Sequence, residues 1–148
     1  SGLAFEFGAA YPTNYEEWNH IALVYDEAAS IDNIRMYLNG KPFWAKTNDV
    51  LPNKYQPNIV NQSMWAFMEP TDNSRCMTGF IKKLRIWNGA KTENEINTLM
   101  NSDVTGQEAK LLCAWDFTVV PEDTQNIIDK TGRHSAKIVG KHKWFQIK

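Results

Sequence analysis

Residues 20–41, "HIALVYDEAASIDNIRMYLNGK", constrain the fold more than any other part of this 148-residue chain. In "HIALVYD" Ile21, Leu23 and Tyr25 alternate with Ala22 and Val24, the period of two that belongs to a β-strand. Both sets are largely apolar, so the expectation is a strand covered on two sides. "NIRMYL" then sets Ile34, Met36 and Leu38 against Arg35 and Tyr37, and Asn39-Gly40 follows at once. Asn-Gly accepts the positive φ angles of a type I′ turn, so the chain should reverse tightly there. Pro42 has no N–H to give a ladder, which assigns it to an edge or an irregular position.

The same rhythm continues downstream. Residues 45–62, "AKTNDVLPNKYQPNIVNQ", carry two prolines and four asparagines and read as a long surface connection. "SMWAFM" (63–68) is a strand, "EPTDNS" (69–74) a polar turn, and "GFIKKLRIW" (79–87) a further strand. Its alternation stumbles, because Leu84 and Ile86 share a face with Lys82 while Ile81 lies opposite. A bulge near Lys82-Lys83 would repair it. "TENEINTLM" (92–100) changes the period. Thr92 with Glu95 three residues on forms a capping box, and Ile96, Leu99 and Met100 give a helical stripe. "KLLCAWDF" (110–117) returns to a strand with Leu111, Cys113, Trp115 and Phe117 on one face, and "NIIDKTG", "AKIVG" and "KWFQIK" add short strands. With no internal repeat or low-complexity segment, the sum is an all-β sandwich with one short helix.

Composition narrows the function classes. A chain with 43% hydrophobic and 22% charged residues is globular, and its length suits one domain. A net charge of −1 offers no attraction to nucleic acid or anionic lipid. No apolar run is long enough to span a bilayer, and "SGLAFEFGAAYP" has neither the basic start nor the apolar stretch of a signal peptide. Cys76 and Cys113 belong to no CxxC pattern; two buried thiols and a disulfide in an oxidising compartment both stay open.

The order of these pieces resembles a known family. "WNHIALVYDEAASIDNIRMYLNGK" (18–41) resembles the signature strand pair of laminin-G-like, concanavalin A-like jelly rolls. "GFIKKLRIWNGAKTENEINTLM" (79–100) looks like the family's strand followed by its capped helix, and "LLCAWDF" with "NIIDKTGRHSAKIVG" resembles its closing strands. The likeness runs from Trp18 to Gly140 and implies an antiparallel β-sandwich jelly roll with one short helix, as one domain over residues 1–148. Family members carry several strands before the first of these, whereas 17 residues precede Trp18. The expectation is therefore a piece of a longer chain that lacks its N-terminal strands. A looser likeness to C-terminal modules of bacterial surface proteins implies an extracellular or cell-surface location.

Hydrolases of this sandwich use a Glu-x-Asp-x-x-Glu strand that puts alternate carboxylates across a glycosidic bond. No glutamate here has Asp two residues later, so no catalytic residue is assigned and the chain is read as a non-enzyme. His20, His134 and His142 are scattered without a zinc-like pairing. No cofactor is expected. Calcium is the one ion with a candidate loop, "EPTDNS", whose Glu69, Asp72, Asn73 and Ser74 offer oxygens; a solvated turn is the simpler reading. Rings stack on sugars where they are exposed beside polar groups, which singles out Trp44, Tyr55 and Trp65 together with Glu69 and Asp72. Trp87 and Trp115 read as core, and Lys82, Lys83 and Arg85 as the wet side of a strand. The expected function is recognition of carbohydrate or a glycosylated surface. The alternatives are a structural module packed on neighbouring domains of a larger protein and, third, a glycoside hydrolase. Neither nucleic acid nor a membrane span is expected.

Overall fold

The computed structural model describes residues 17–26, 28–29, 34–43, 79–140 and 142–144 in full, and 68–69 and 72–76 by their backbone. The chain divides into two compact units, one of residues 1–55 with 87–104 and the other of residues 56–86 with 105–148.

The first unit holds β1 (Ile21–Tyr25), β2 (Ile34–Leu38) and β3 (Lys41–Pro42), an antiparallel sheet in that order. Pro42 lies on the edge strand, where the missing N–H costs no central ladder bond. The register pairs Ile21 with Leu38, Leu23 with Met36 and Tyr25 with Ile34. The turn is the one that Asn-Gly prescribes, with φ of 50° at Asn39 and 78° at Gly40. Asn39 also fastens the strand entry. Its N–H donates to the His20 carbonyl (2.8 Å), its Oδ1 accepts from the His20 N–H (2.8 Å), and its Nδ2 donates to Asn19 Oδ1 (3.0 Å).

Helix α1 (Glu93–Met100) belongs to the same unit and starts on the expected capping box. The Thr92 hydroxyl accepts from the Glu95 N–H (3.3 Å), and Glu95 Oε2 accepts from the Thr92 N–H (2.8 Å). Ile96, the buried residue of its apolar stripe, joins Val24 and Tyr37 in a small core against which Ala22 packs. Burying a side chain such as Ile96 stabilises by about 2 kcal/mol. Asn97 ties the helix to the hairpin, donating to the Gly40 carbonyl at 3.1 Å.

The cover on β1 departs from expectation. Val24 is 6% exposed, whereas Ile21 and Leu23 on the opposite side are 62% and 64% exposed. The strand is therefore covered on the Ala22–Val24 side and open on the other, although both sides are apolar.

The second unit carries β4 (Met68–Glu69) with β5 (Asp72–Cys76), β6 (Lys83–Trp87) with β7 (Leu111–Asp116), and β8 (Asn126–Ile128) with β9 (Ser135–Lys137). The predicted face of β7 is buried: Leu111, Cys113 and Trp115 are at most 6% exposed. Ala114 is buried on the other side as well, at 1%. Cys113, Trp115 and Ile127 form the core, joined by Leu84, Ile86, Phe117, Ala136, Ile138 and Trp144. The Trp115 indole donates to the Ile127 carbonyl at 3.1 Å, so the ring is buried with its polar edge satisfied.

Two strand boundaries differ from the sequence reading. β6 begins at Lys83, after the stumble in the alternation, so the strand itself needs no bulge at Lys82-Lys83. Leu84 and Ile86 face the core as a regular alternating pair. The polar turn is shorter than "EPTDNS", because Glu69 lies in β4 and Asp72, Asn73 and Ser74 lie in β5. The irregularity falls instead in that hairpin, where the register shifts between Met68 and Glu69.

Candidate functional site

Three groups of residues present chemistry worth testing for a site. The first is the set chosen from sequence. Glu69 and Asp72 are brought together, as backbone partners across the β4–β5 hairpin with two residues between them. Trp44, Tyr55 and Trp65 lie outside the described residues. Among the described residues no group of three or more His, Cys, Asp and Glu side chains is gathered to hold a metal ion. Nor, among them, is any helix long and apolar enough to cross a membrane.

The second group surrounds Asp129, the one polar residue in the described core, at 3% exposure. It follows β8 in "IIDKTGRH", where an Asp with Thr two residues on and Gly three on favours a side-chain-closed turn. Oδ1 accepts from the Arg133 N–H (3.1 Å) and the His134 N–H (2.9 Å). Oδ2 accepts from the Thr131 hydroxyl (2.7 Å), the Thr131 N–H (3.1 Å) and the Ala114 N–H of β7 (3.2 Å). Burial works to raise its pKa, but the bonds from Thr131, His134 and Ala114 outweigh it and hold the carboxyl at about 2. A carboxylate that is saturated by donors and ionised throughout the physiological range can neither deliver a proton nor offer a free lone pair to a metal. Its role is to lock the loop to β7. The Arg133 guanidinium adds to the lock by donating to the Leu111 carbonyl at 2.6 Å.

Neighbouring ionisable groups follow the same logic. Glu108 accepts from the Thr105 N–H (2.7 Å), the Thr105 hydroxyl (2.9 Å) and the Gly106 N–H (3.0 Å), and the Thr105 bond leads in holding its carboxyl at about 2. Lys130 pairs with Asp116 at 3.2 Å. Cys113 is a free thiol. Burial pushes its pKa up, the Asp129 charge adds to that, and the Arg133 charge opposes it, which leaves an unreactive sulfur. These groups build turns and a core rather than a reaction centre.

The third group is a surface. The β1–β2 register sets Ile21, Leu23 and Tyr25 opposite Leu38, Met36 and Ile34, and paired residues share a face. The three on β1 are exposed and the three on β2 half-buried. An apolar face left open in this way is a candidate interaction surface. Sequence reasoning found each residue but placed the face in a core. The signal it had, apolar residues on both sides of β1, is equally compatible with one covered face and one open face.

Of the basic group, Lys83 and Arg85 lie on β6 on the side away from Leu84 and Ile86, exposed and half-buried respectively, while Lys82 is exposed but precedes the strand. Trp115 is core, while Trp87 is half-buried and carries the Lys91 ammonium over its ring at 4.6 Å.

Comparison with known proteins gives one positive result. A laminin G family model, described as the concanavalin A-like lectin/glucanases superfamily, matches residues 2–97. The match takes in the strands β1 to β6 and the first half of α1, and it stops before β7. Neither the curated proteins nor the solved structures gave a match. The matched span is well over half of the chain, and its antiparallel strand pairs and, among the described residues, one short helix agree with the family fold. The protein is an all-β, laminin G-like member of the concanavalin A-like lectin/glucanases superfamily.

Proposed function

We propose that the chain is a non-catalytic recognition module of a secreted or cell-surface protein, a single domain whose ligand is carbohydrate or a glycosylated surface. The observation that carries this reading is the match to the concanavalin A-like lectin/glucanases superfamily over residues 2–97. The described carboxylates with strongly lowered pKa values, Asp129 and Glu108, are committed to turns, which fits recognition better than hydrolysis. Trp44, Tyr55 and Trp65 supply the rings for a pyranose face, and Glu69 and Asp72 supply acceptors for its hydroxyls. Titration with common polysaccharides, followed by tryptophan fluorescence and calorimetry, tests this. Binding that Trp44→Ala and Trp65→Ala each weaken at least several-fold supports it. A flat response across the panel, or binding that both variants leave untouched, removes it. The same titration with and without calcium shows whether the Glu69–Asp72 hairpin needs an ion.

One observation favours a second reading, a structural module that packs on a neighbouring domain of a larger protein. The open face of β1 and β2 is mostly aliphatic, with Tyr25 the one ring among its six paired residues, and sugars are held chiefly by rings and polar groups rather than by Ile, Leu and Met. In that case Leu23→Lys abolishes association with the neighbouring domain, and glycan titrations stay flat.

A further inference from the structure

The sequence contains two Asn-Gly pairs, Asn39-Gly40 and Asn88-Gly89, and the fold treats them in opposite ways. Asn-Gly is the dipeptide most prone to spontaneous deamidation, since glycine puts no side chain in the path of its own nitrogen. The reaction needs a carboxamide free to rotate and a glycine N–H open to water.

Asn39 has neither. Its Oδ1 accepts from the His20 N–H at 2.8 Å, and its Nδ2 donates to Asn19 at 3.0 Å. Gly40 is buried and its carbonyl accepts from Asn97 at 3.1 Å. Turning the Asn39 side chain toward the Gly40 nitrogen would break both carboxamide bonds and unpin the strand entry. Asn88 and Gly89 form the bend between β6 and α1, and both are exposed. Among the described residues no partner holds the Asn88 carboxamide. Gly89 has φ of 132°, a conformation of ready access to glycine alone.

We infer that Asn88 is a site of spontaneous deamidation in the folded protein and that Asn39 is protected by its hydrogen bonds. The main-chain nitrogen of Gly89 bonds to Cγ of Asn88 and gives up its proton. The Nδ2 group leaves with that proton as ammonia. Water then opens the cyclic imide at either carbonyl, yielding aspartate or isoaspartate. The net change is amide plus water to acid plus ammonia, with one added negative charge. The isoaspartate product also puts an extra methylene into the main chain, one residue after Trp87 and three before the Lys91 ammonium that covers its ring.

The test ages the whole chain in mildly alkaline buffer, native and in urea, followed by tryptic mass mapping. Peptide 86–91 reports Asn88 and peptide 36–46 reports Asn39. The expected result is conversion several-fold faster at Asn88 than at Asn39 in the native chain, with the ratio falling toward unity in urea. An acidic charge variant should accumulate in parallel and be absent from Asn88→Gln. Equal native rates at the two sites, or an amide at Asn88 that survives in the native chain while both convert in urea, would overturn the inference.

Discussion

Replacing Asp129 by Asn tests the strongest structural claim, that one buried carboxylate fastens the β8–β9 loop to β7. Asn keeps the shape and removes the charge and one acceptor. If its oxygen replaces Oδ1, the N–H groups of Thr131 and Ala114 face an NH2; if it replaces Oδ2, those of Arg133 and His134 do. Either orientation strands two main-chain donors in a site that is 3% exposed. Each stranded donor costs about 1–3 kcal/mol, with the lower end favoured where the loop relaxes toward water. The expected loss is roughly 3 kcal/mol, a fall in Tm of about 10 °C for a chain of this size. Thermal melting by circular dichroism at neutral pH reads it. The control is Asp123→Asn, on an exposed turn where Oδ1 alone accepts, from the Gln125 and Asn126 N–H groups, so the amide oxygen serves as well. That variant should melt within about 2 °C of the parent. The pH dependence supplies a second check. Folding lowers the Asp129 pKa from 3.8 to about 2. The stability it carries is thus fully present above 3.8 and is lost as pH falls through about 2. That interval corresponds to about 2 kcal/mol. The gap between parent and Asp129→Asn must therefore narrow on acidification across that window. A variant that melts with the parent, or a gap that does not respond to acid, refutes the assignment.

Three further outcomes are expected. Gly106 has φ of 98°, and a Cβ placed on it would lie 2.1 Å from the Lys130 carbonyl oxygen, so Gly106→Ala must move backbone. It should cost about 3 kcal/mol or more in urea unfolding, while Gly132→Ala, where a Cβ meets nothing within 4 Å, should cost markedly less. Thr92→Ala removes the cap of α1 and should cost about 1 kcal/mol in the same assay, with loss of helical ellipticity. On β1 the two sides should respond oppositely: Leu23→Lys should change stability by less than about 0.5 kcal/mol, while Val24→Lys buries an unpaired charge and should cost over roughly 3 kcal/mol.

How much of this was legible depended on how local each signal was. β1, β2 and the turn between β2 and β3 could be read because alternation and Asn-Gly act within a few residues. The helix could be read because Thr92 and Glu95 complete their capping box without help from elsewhere. The reach of β5 could not, since Asp72, Asn73 and Ser74 have poor intrinsic strand preference and are extended by pairing with β4. Asp129 was passed over because its meaning comes from Ala114, fifteen residues away along the chain. Of the five residues chosen for a site, the described structure speaks only to the pairing of Glu69 with Asp72.

The cover on β1 is the non-local question with functional weight. A strand that is apolar on both sides and covered on one keeps exposed side chains whose full burial is worth about 1.5–3 kcal/mol each. Ile21 and Leu23, each more than 60% exposed, therefore hold stabilisation that further burial would release. A sugar would release little of it, because Ile21 and Leu23 offer its hydroxyl groups no partners and Tyr25 is the one ring among the paired residues of this face. The two readings of function thus rest on different residues and separate by mutation. Trp44→Ala and Trp65→Ala should alter glycan binding and leave the hydrophobic-dye response of the β1–β2 face unchanged. Leu23→Lys should lower that dye response and leave glycan binding unchanged. If Leu23→Lys weakened glycan binding as strongly as Trp65→Ala, one shared surface would serve both, and the two sets of residues would not be separate sites.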